Sequence, residues 1–207
     1  MCGRYHFSVG IMEDIRELTE GTDWKLELGG MDKDIHPGDM APVITAKGWE
    51  TGDGADTGSS AACLGLVMQR WGFPVPVGKG LVFNARSESV LEKRMFSESV
   101  KRRRAAVPVS WFYEWNTSKE KFTFAREDGR VLFLAGCYSR FEDGDHFVIL
   151  TTEANSSMIP VHSRMPLILE WGQVRDWILD SGRMGELLGQ APSGLARSCE
   201  YEQQTLF

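Results

Sequence analysis

Apolar and polar positions alternate over residues 2–8, and a period of two predicts a short strand there. Ser8 or Gly10 then opens a helix to about residue 20, because Ile11, Ile15 and Leu18 recur on one helical face. Residues 50–61, E-T-G-D-G-A-D-T-G-S-S-A, hold no large apolar side chain and read as a mobile loop, too short to separate one domain from another. From there strand signals dominate, at 63–69, 81–85, 105–115 and 120–126. Asp128-Gly129 predicts a hairpin turn into a strand over 131–140. Glu142-Asp143-Gly144-Asp145 turns the chain again into 146–152, and a further strand covers 165–169. Helical spacing is confined to about 89–103, to 172–180 with Val174, Trp177 and Ile178 facing inward, and to 183–189. There is no internal repeat and no low-complexity tract. The sum is an α+β fold, mainly antiparallel sheet with peripheral helices, in one domain over residues 1–207.

Composition narrows the class. A hydrophobic fraction of 42% and a charged fraction of 25% belong to an ordinary globular protein. No apolar run approaches the roughly 20 residues that span a membrane, and the N-terminus lacks a signal-like apolar stretch, so a cytosolic protein without a membrane partner is expected. Cys2, Cys63, Cys137 and Cys199 form no C-x-x-C pair, which argues against a zinc site and against a disulfide framework. No metal or organic cofactor is expected. Three of these cysteines read as small buried apolar residues, whereas Cys2 stands apart by position.

The net charge of −6 is unevenly spread. Residues 86–104 hold seven bases (Arg86, Lys93, Arg94, Lys101, Arg102, Arg103, Arg104) against three acids (Glu88, Glu92, Glu98), a local +4 that leaves −10 for the rest. A basic stripe on an acidic body suits a polyanion at one face. Equally, Lys101 to Arg104 can be a solvated helix end favoured by the dipole.

Four segments could carry chemistry. Methionine aminopeptidases remove Met1 before a small second residue, which would leave Cys2 as an N-terminal 1,2-aminothiol. Its α-amine titrates near ~7.7–8.0 against ~10.4 for lysine, so far more of it is free base at neutral pH and able to form a Schiff base with an aldehyde. The thiol of the same residue can then close on the imine carbon to give a five-membered thiazolidine. In Trp111-Phe112-Tyr113-Glu114-Trp115, Glu114 either loses hydration among aromatics and becomes a proton donor, or is an exposed acid on a half-buried strand. His162, between Pro160 and an apolar strand, is either a general acid–base or a hydrogen-bonded structural histidine. At a strand end, Asn84 could orient a substrate and Arg86 hold a phosphate, or Asn84 could cap a turn. Trp71-Gly72-Phe73-Pro74 offers either stacking faces for bases or core plus turn.

The order of these segments resembles the SRAP family (SOS response-associated peptidase domain), whose members crosslink to abasic DNA. The resemblance rests on M-C-G-R-Y at the start, D-I-H-P-G-D-M-A-P-V-I at 34–44, W-G-F-P at 71–74 and N-A-R-S-E at 84–88. It continues through R-R-x-x-V-P-x-x-x-F-Y-E-W ending at Trp115, L-T-T-E-A-N at 150–155 and H-S-R-M-P at 162–166. It implies a barrel-like core and covalent capture of abasic sites in single-stranded DNA, with weak lyase and autoproteolytic side reactions. Cys2 would form the thiazolidine, Asn84 would position its amine and the sugar, and Glu114 and His162 would shuttle protons. Arg4, Arg86 and Arg164 would grip phosphates, with Arg104 in the basic stripe. Pro37, Trp71 and Phe73 would form a wedge or stacking surface, and Thr151 would support the pocket. The protein would act as a monomer. Two departures stand out: Trp111 replaces a family glycine, which would put a large ring close to Glu114, and Ser163 stands where aspartate is common. Two other classes fit the same residues: a thiol peptidase using Cys2 and His162, and a non-catalytic single-strand-binding module.

Overall fold

The computed structural model describes residues 2–19, 31–47 and 63–199. The loop expected at 50–61 lies outside these residues, as does Met1. In chain order the strands are β1 (Tyr5–Phe7), β2 (Lys33–Ile35), β3 (Met40–Ala46), β4 (Leu64–Trp71), β5 (Phe73–Pro74), β6 (Leu81–Val82), β7 (Asn84–Arg86) and β8 (Arg104–Val109). There follow β9 (Trp111–Trp115), β10 (Lys121–Ala125), β11 (Leu132–Phe141), β12 (Gly144–Glu153), β13 (Arg164–Pro166), β14 (Ile168–Leu169) and β15 (Ala196–Cys199). The helices are α1 (Met12–Leu18), α2 (Ser97–Arg102), α3 (Trp171–Leu179) and α4 (Met184–Leu188). None is long and apolar enough to cross a membrane.

Strands β12, β4, β3, β8 and β11 follow one another by hydrogen bonding, and the pairing of β11 with β12 closes them into a five-stranded barrel. Closure removes the free edges that an open sheet would expose. Gly136 sits at the seam: a Cβ there would lie 2.7 Å from the carbonyl oxygen of Val148, so only glycine allows this approach. Trp177 of α3 lies across the outside of the wall and donates from its indole to the carbonyl of Ala105 at 2.9 Å. Val174, Trp177 and Ile178 are all buried, as their spacing predicts, and Glu170 with Gln173 forms a capping box at the start of this helix. A second, antiparallel sheet runs β15-β10-β9-β1-β2.

The expectation of an α+β fold with a mainly antiparallel, barrel-like sheet holds. Its boundaries need correcting in places. The apolar run 105–115 is two strands in different sheets: β8 in the barrel wall and β9 in the second sheet. The chain changes sheet at Ser110, whose N–H donates to the carbonyl of His6 and whose hydroxyl accepts from the N–H of Ser8. The helix expected at 89–103 is confined to α2. Residues 89–96 form successive tight turns, and the helix itself begins only at Ser97. Strand β3, which carries Pro42, escapes the pattern because proline is rare inside a strand.

Candidate active site at the Cys2 end of the second sheet

Cys2 precedes β1, the strand that joins β2 to β9. β1 pairs with β9 in the register Tyr5↔Phe112 and His6↔Trp111, and the N–H of Tyr113 donates to the carbonyl of Arg4, which carries the ladder toward the N-terminus. The W-F-Y-E-W segment is thereby drawn alongside residues 2–6. Phe112 and Glu114 share one face of β9, while Trp111, Tyr113 and Trp115 share the other.

Asn84 arrives from the barrel. β7 lies parallel to β12, with Asn84 opposite Ile149 and Arg86 opposite Thr151. From there the side-chain amide of Asn84 donates to the carbonyl oxygen of Cys2 at 2.9 Å. The Cys2 thiol is buried and donates to the carbonyl of Arg4 at 3.6 Å. Burial first, and then the nearby charge of Glu114, push this thiol up to about 12. The site therefore joins Cys2, Asn84 and Glu114, as the sequence suggests, and holds sulfur in its neutral form. Glu114 is buried rather than exposed.

His162 enters by another route. It stands just before β13, which pairs with β12 at Thr151↔Pro166, Thr152↔Met165 and Glu153↔Arg164. Its Nδ1 lies 2.9 Å from the backbone nitrogen and 3.2 Å from the carbonyl oxygen of Arg164, which fixes the ring beside β13. Thr151 is buried between β7 and β13 and receives a 2.7 Å hydrogen bond from Arg164 on its carbonyl.

The arginines differ sharply. Arg86 is exposed. Arg164 forks onto both carboxylate oxygens of Glu88, and its hydrogen bond holds Glu88 below the usual carboxylate range. Arg4 donates to Asp34 and lies 4.9 Å over the ring of Tyr113. Burial raises Asp34, but the hydrogen bonds from His6, Arg4 and Tyr113 outweigh it and hold this acid low. Asp34, His6 and Glu88 were not singled out in the sequence. Lone charges on short strands or turns give no local signal until their partners, 28 to 76 residues away, are known.

Three expectations are corrected. Trp71 and Phe73, at 0% and 1% exposure, present no stacking face. The Trp71 indole donates to the carbonyl of Phe83 at 2.9 Å, and Gly72 follows at φ +110° to turn the chain, so W-G-F-P is core plus turn. Pro37 sits half-buried in a tight turn closed by the Asp39 N–H to the His36 carbonyl at 3.0 Å, with the Gly38 N–H donating to the Trp71 carbonyl at 2.7 Å. Arg104 is 4% exposed. Its guanidinium donates to the carbonyls of Trp177, Ile178, Val100 and Lys101, tying α2 and α3 to the barrel. Trp111 lies on the face of β9 opposite to Glu114. It stacks on His6 with centroids 4.1 Å apart and planes 3° apart, and donates to the Tyr113 hydroxyl at 2.7 Å.

The chain is similar to several known proteins in sequence and in fold. A structure of a protein from Bacteroides thetaiotaomicron superposes with a TM-score of 0.74 at 20% identity, covering 97% of this chain and 93% of that one. A phage-related protein from Bordetella bronchiseptica gives 0.73 at 19% identity, covering 97% and 95%. An abasic site processing protein of Saccharomyces cerevisiae is 38% identical over 95 residues, 44% of this chain and 26% of that one. Abasic site processing protein YedK of Escherichia coli is 32% identical over 136 residues, 62% of this chain and 59% of that one. The match thus spans less than two thirds of either relative. The family model for SOS response associated peptidase (SRAP) covers residues 1–198, which takes in β1, the barrel and both strand ends that frame Cys2, and the chain belongs to that family.

Proposed function

We propose that the mature chain captures abasic sites in single-stranded DNA covalently through Cys2. The observation that carries this reading is the arrangement at Cys2 itself: its carbonyl is held by Asn84, its thiol is buried and neutral, and the carboxyl of Glu114 is close enough to act on that thiol. The names of the yeast and Escherichia coli relatives point to the same substrate.

With Met1 removed, the free α-amine adds to the C1′ aldehyde of the ring-opened sugar and gives a carbinolamine. Loss of water, with a proton delivered to the departing hydroxyl, yields the imine. The Cys2 sulfur then bonds to the imine carbon, the thiol proton passes to the imine nitrogen, and the ring is a thiazolidine. Attack is intramolecular and so requires little of the thiolate. A neutral thiol also leaves the amine to react first. Glu114 and His162 are the acid–base groups available for these transfers, and Arg86 is an exposed cation for a flanking phosphate. A thiol peptidase needs a thiol pushed the other way, toward thiolate.

The test mixes mature protein with a uracil-containing oligonucleotide treated with uracil-DNA glycosylase. A band that shifts on a denaturing gel, with an intact mass one water below the sum of the reactants, is the expected result. It should vanish in Cys2→Ala. Absence of the shift in mature protein, or a crosslink formed while Met1 is retained, overturns the reading.

A further inference from the structure

Tyr5 is fully buried, yet its hydroxyl has no hydrogen-bond partner among the described residues. A phenylalanine would fill the same space without that cost, which is about 1–3 kcal/mol for a buried polar group left unsatisfied. The ring is fixed by Trp71, 5.0 Å away between centroids. It stands three residues from Cys2 and directly across the strand pair from Phe112, so that Glu114, two residues further along the same face of β9, is its diagonal neighbour. A second orphan belongs to the same site: Oδ1 of Asn84 is buried with no partner among the described residues, while Nδ2 of the same amide holds Cys2. Two unsatisfied polar atoms, on different strands, flank one residue.

We propose that Tyr5 is a substrate-contacting residue of this site, whose phenol donates a hydrogen bond to an oxygen of the sugar that bonds to Cys2. The inference rests on the proposed capture of an aldehyde at Cys2 and names a group that reading did not include. Burial above all holds the phenol well above its ordinary range, so it stays protonated and able to donate at neutral pH. A donor buried beside the reacting carbon costs no reorganisation when charge develops on the sugar oxygen. Asn84 Oδ1 is the matching acceptor for a sugar hydroxyl or for the Cys2 amine.

The experiment compares mature wild type with Tyr5→Phe on an abasic oligonucleotide under single-turnover conditions. A tetrahydrofuran-containing oligonucleotide, which has no aldehyde, measures non-covalent affinity. The expected result is a first-order crosslinking rate about tenfold lower at saturating DNA, as one hydrogen bond predicts. Affinity for the tetrahydrofuran analogue should change less than twofold, and the melting temperature should not fall. Equal crosslinking rates for the two proteins across the pH range overturn the assignment while leaving capture by Cys2 standing. Equal rate losses with a lowered melting temperature in both Tyr5→Phe and Tyr5→Leu assign Tyr5 to packing and overturn it too. A wild type that forms no crosslink brings down the parent reading and this inference with it.

Discussion

The side-chain amide of Asn84 spans 2.9 Å to the carbonyl oxygen of Cys2, and this bond ties β7 to the residue that precedes the second sheet's N-terminal strand. It fixes Cys2 itself, which lies outside the three-residue strand β1. Asn84→Ala should therefore slow crosslinking by tenfold or more through lost positioning, with a melting temperature within a few degrees of wild type. Asn84→Asp should do no better, because a carboxylate cannot donate. Single-turnover rates for both variants check this, and a wild-type rate in either would remove Asn84 from the site.

Cys2 and Cys137 are both buried, and burial pushes both thiols up to about 12 from an ordinary 9.0. The unfolded chain therefore loses these two protons at lower pH than the folded one. Their contribution to stability is complete below pH 9 and is lost as pH rises from there toward 12. Denaturant midpoints should fall over that window, and less steeply in a Cys2→Ala, Cys137→Ala double variant. In a thiol-reagent titration at pH 8 the half-buried Cys63 and Cys199 should react first, and Cys137 only on unfolding.

The Trp111 ring packs on His6 and donates to Tyr113, away from the face that carries Glu114. Trp111→Gly should cost about 2–4 kcal/mol of stability, as loss of a half-buried aromatic does. The crosslinking rate at saturating DNA should stay within threefold of wild type. A collapse of that rate in folded protein would show that Trp111 shapes the reacting pocket.

How much of this could be read beforehand depends on how local each signal is. Val174, Trp177 and Ile178 announce the buried face of α3 because i, i+3, i+4 spacing is a property of one segment. The barrel order is another matter: β12 touches β4, β7, β11 and β13, and no stretch of sequence contains those pairings. The same divide runs through the site. Cys2 and Glu114 were legible from their own chemistry and neighbours. The burial of Trp71 was not, since an aromatic beside a glycine looks alike in a core turn and on a binding face. Nor were the partners of Arg4 and Arg164, whose carboxylates come from β2 and from the turn after β7. Tyr5 alternates with His6 in the sequence, but only the β1–β9 register shows it across from Phe112 and diagonal to Glu114.

Two arginines of the basic stripe should separate cleanly by experiment. Arg104 is buried and spends its guanidinium on carbonyls of α2 and α3, with burial holding it below its ordinary range. Arg86 is exposed beside β12. If phosphates are held at the strand end next to Asn84, Arg86→Ala should lower the slope of log affinity against log salt by about one and weaken binding without touching stability. Arg104→Met should leave the salt slope unchanged. It should lower the melting temperature by roughly 6–12 °C, because four carbonyls lose their donor at a cost of about 3 kcal/mol in a domain of this size. Fluorescence titrations with a tetrahydrofuran oligonucleotide at three salt concentrations, beside thermal melts, measure both. A salt slope that changes for Arg104→Met in folded protein would return that residue to the DNA-binding face, and an unchanged slope for Arg86→Ala would take the phosphate contact away from β7.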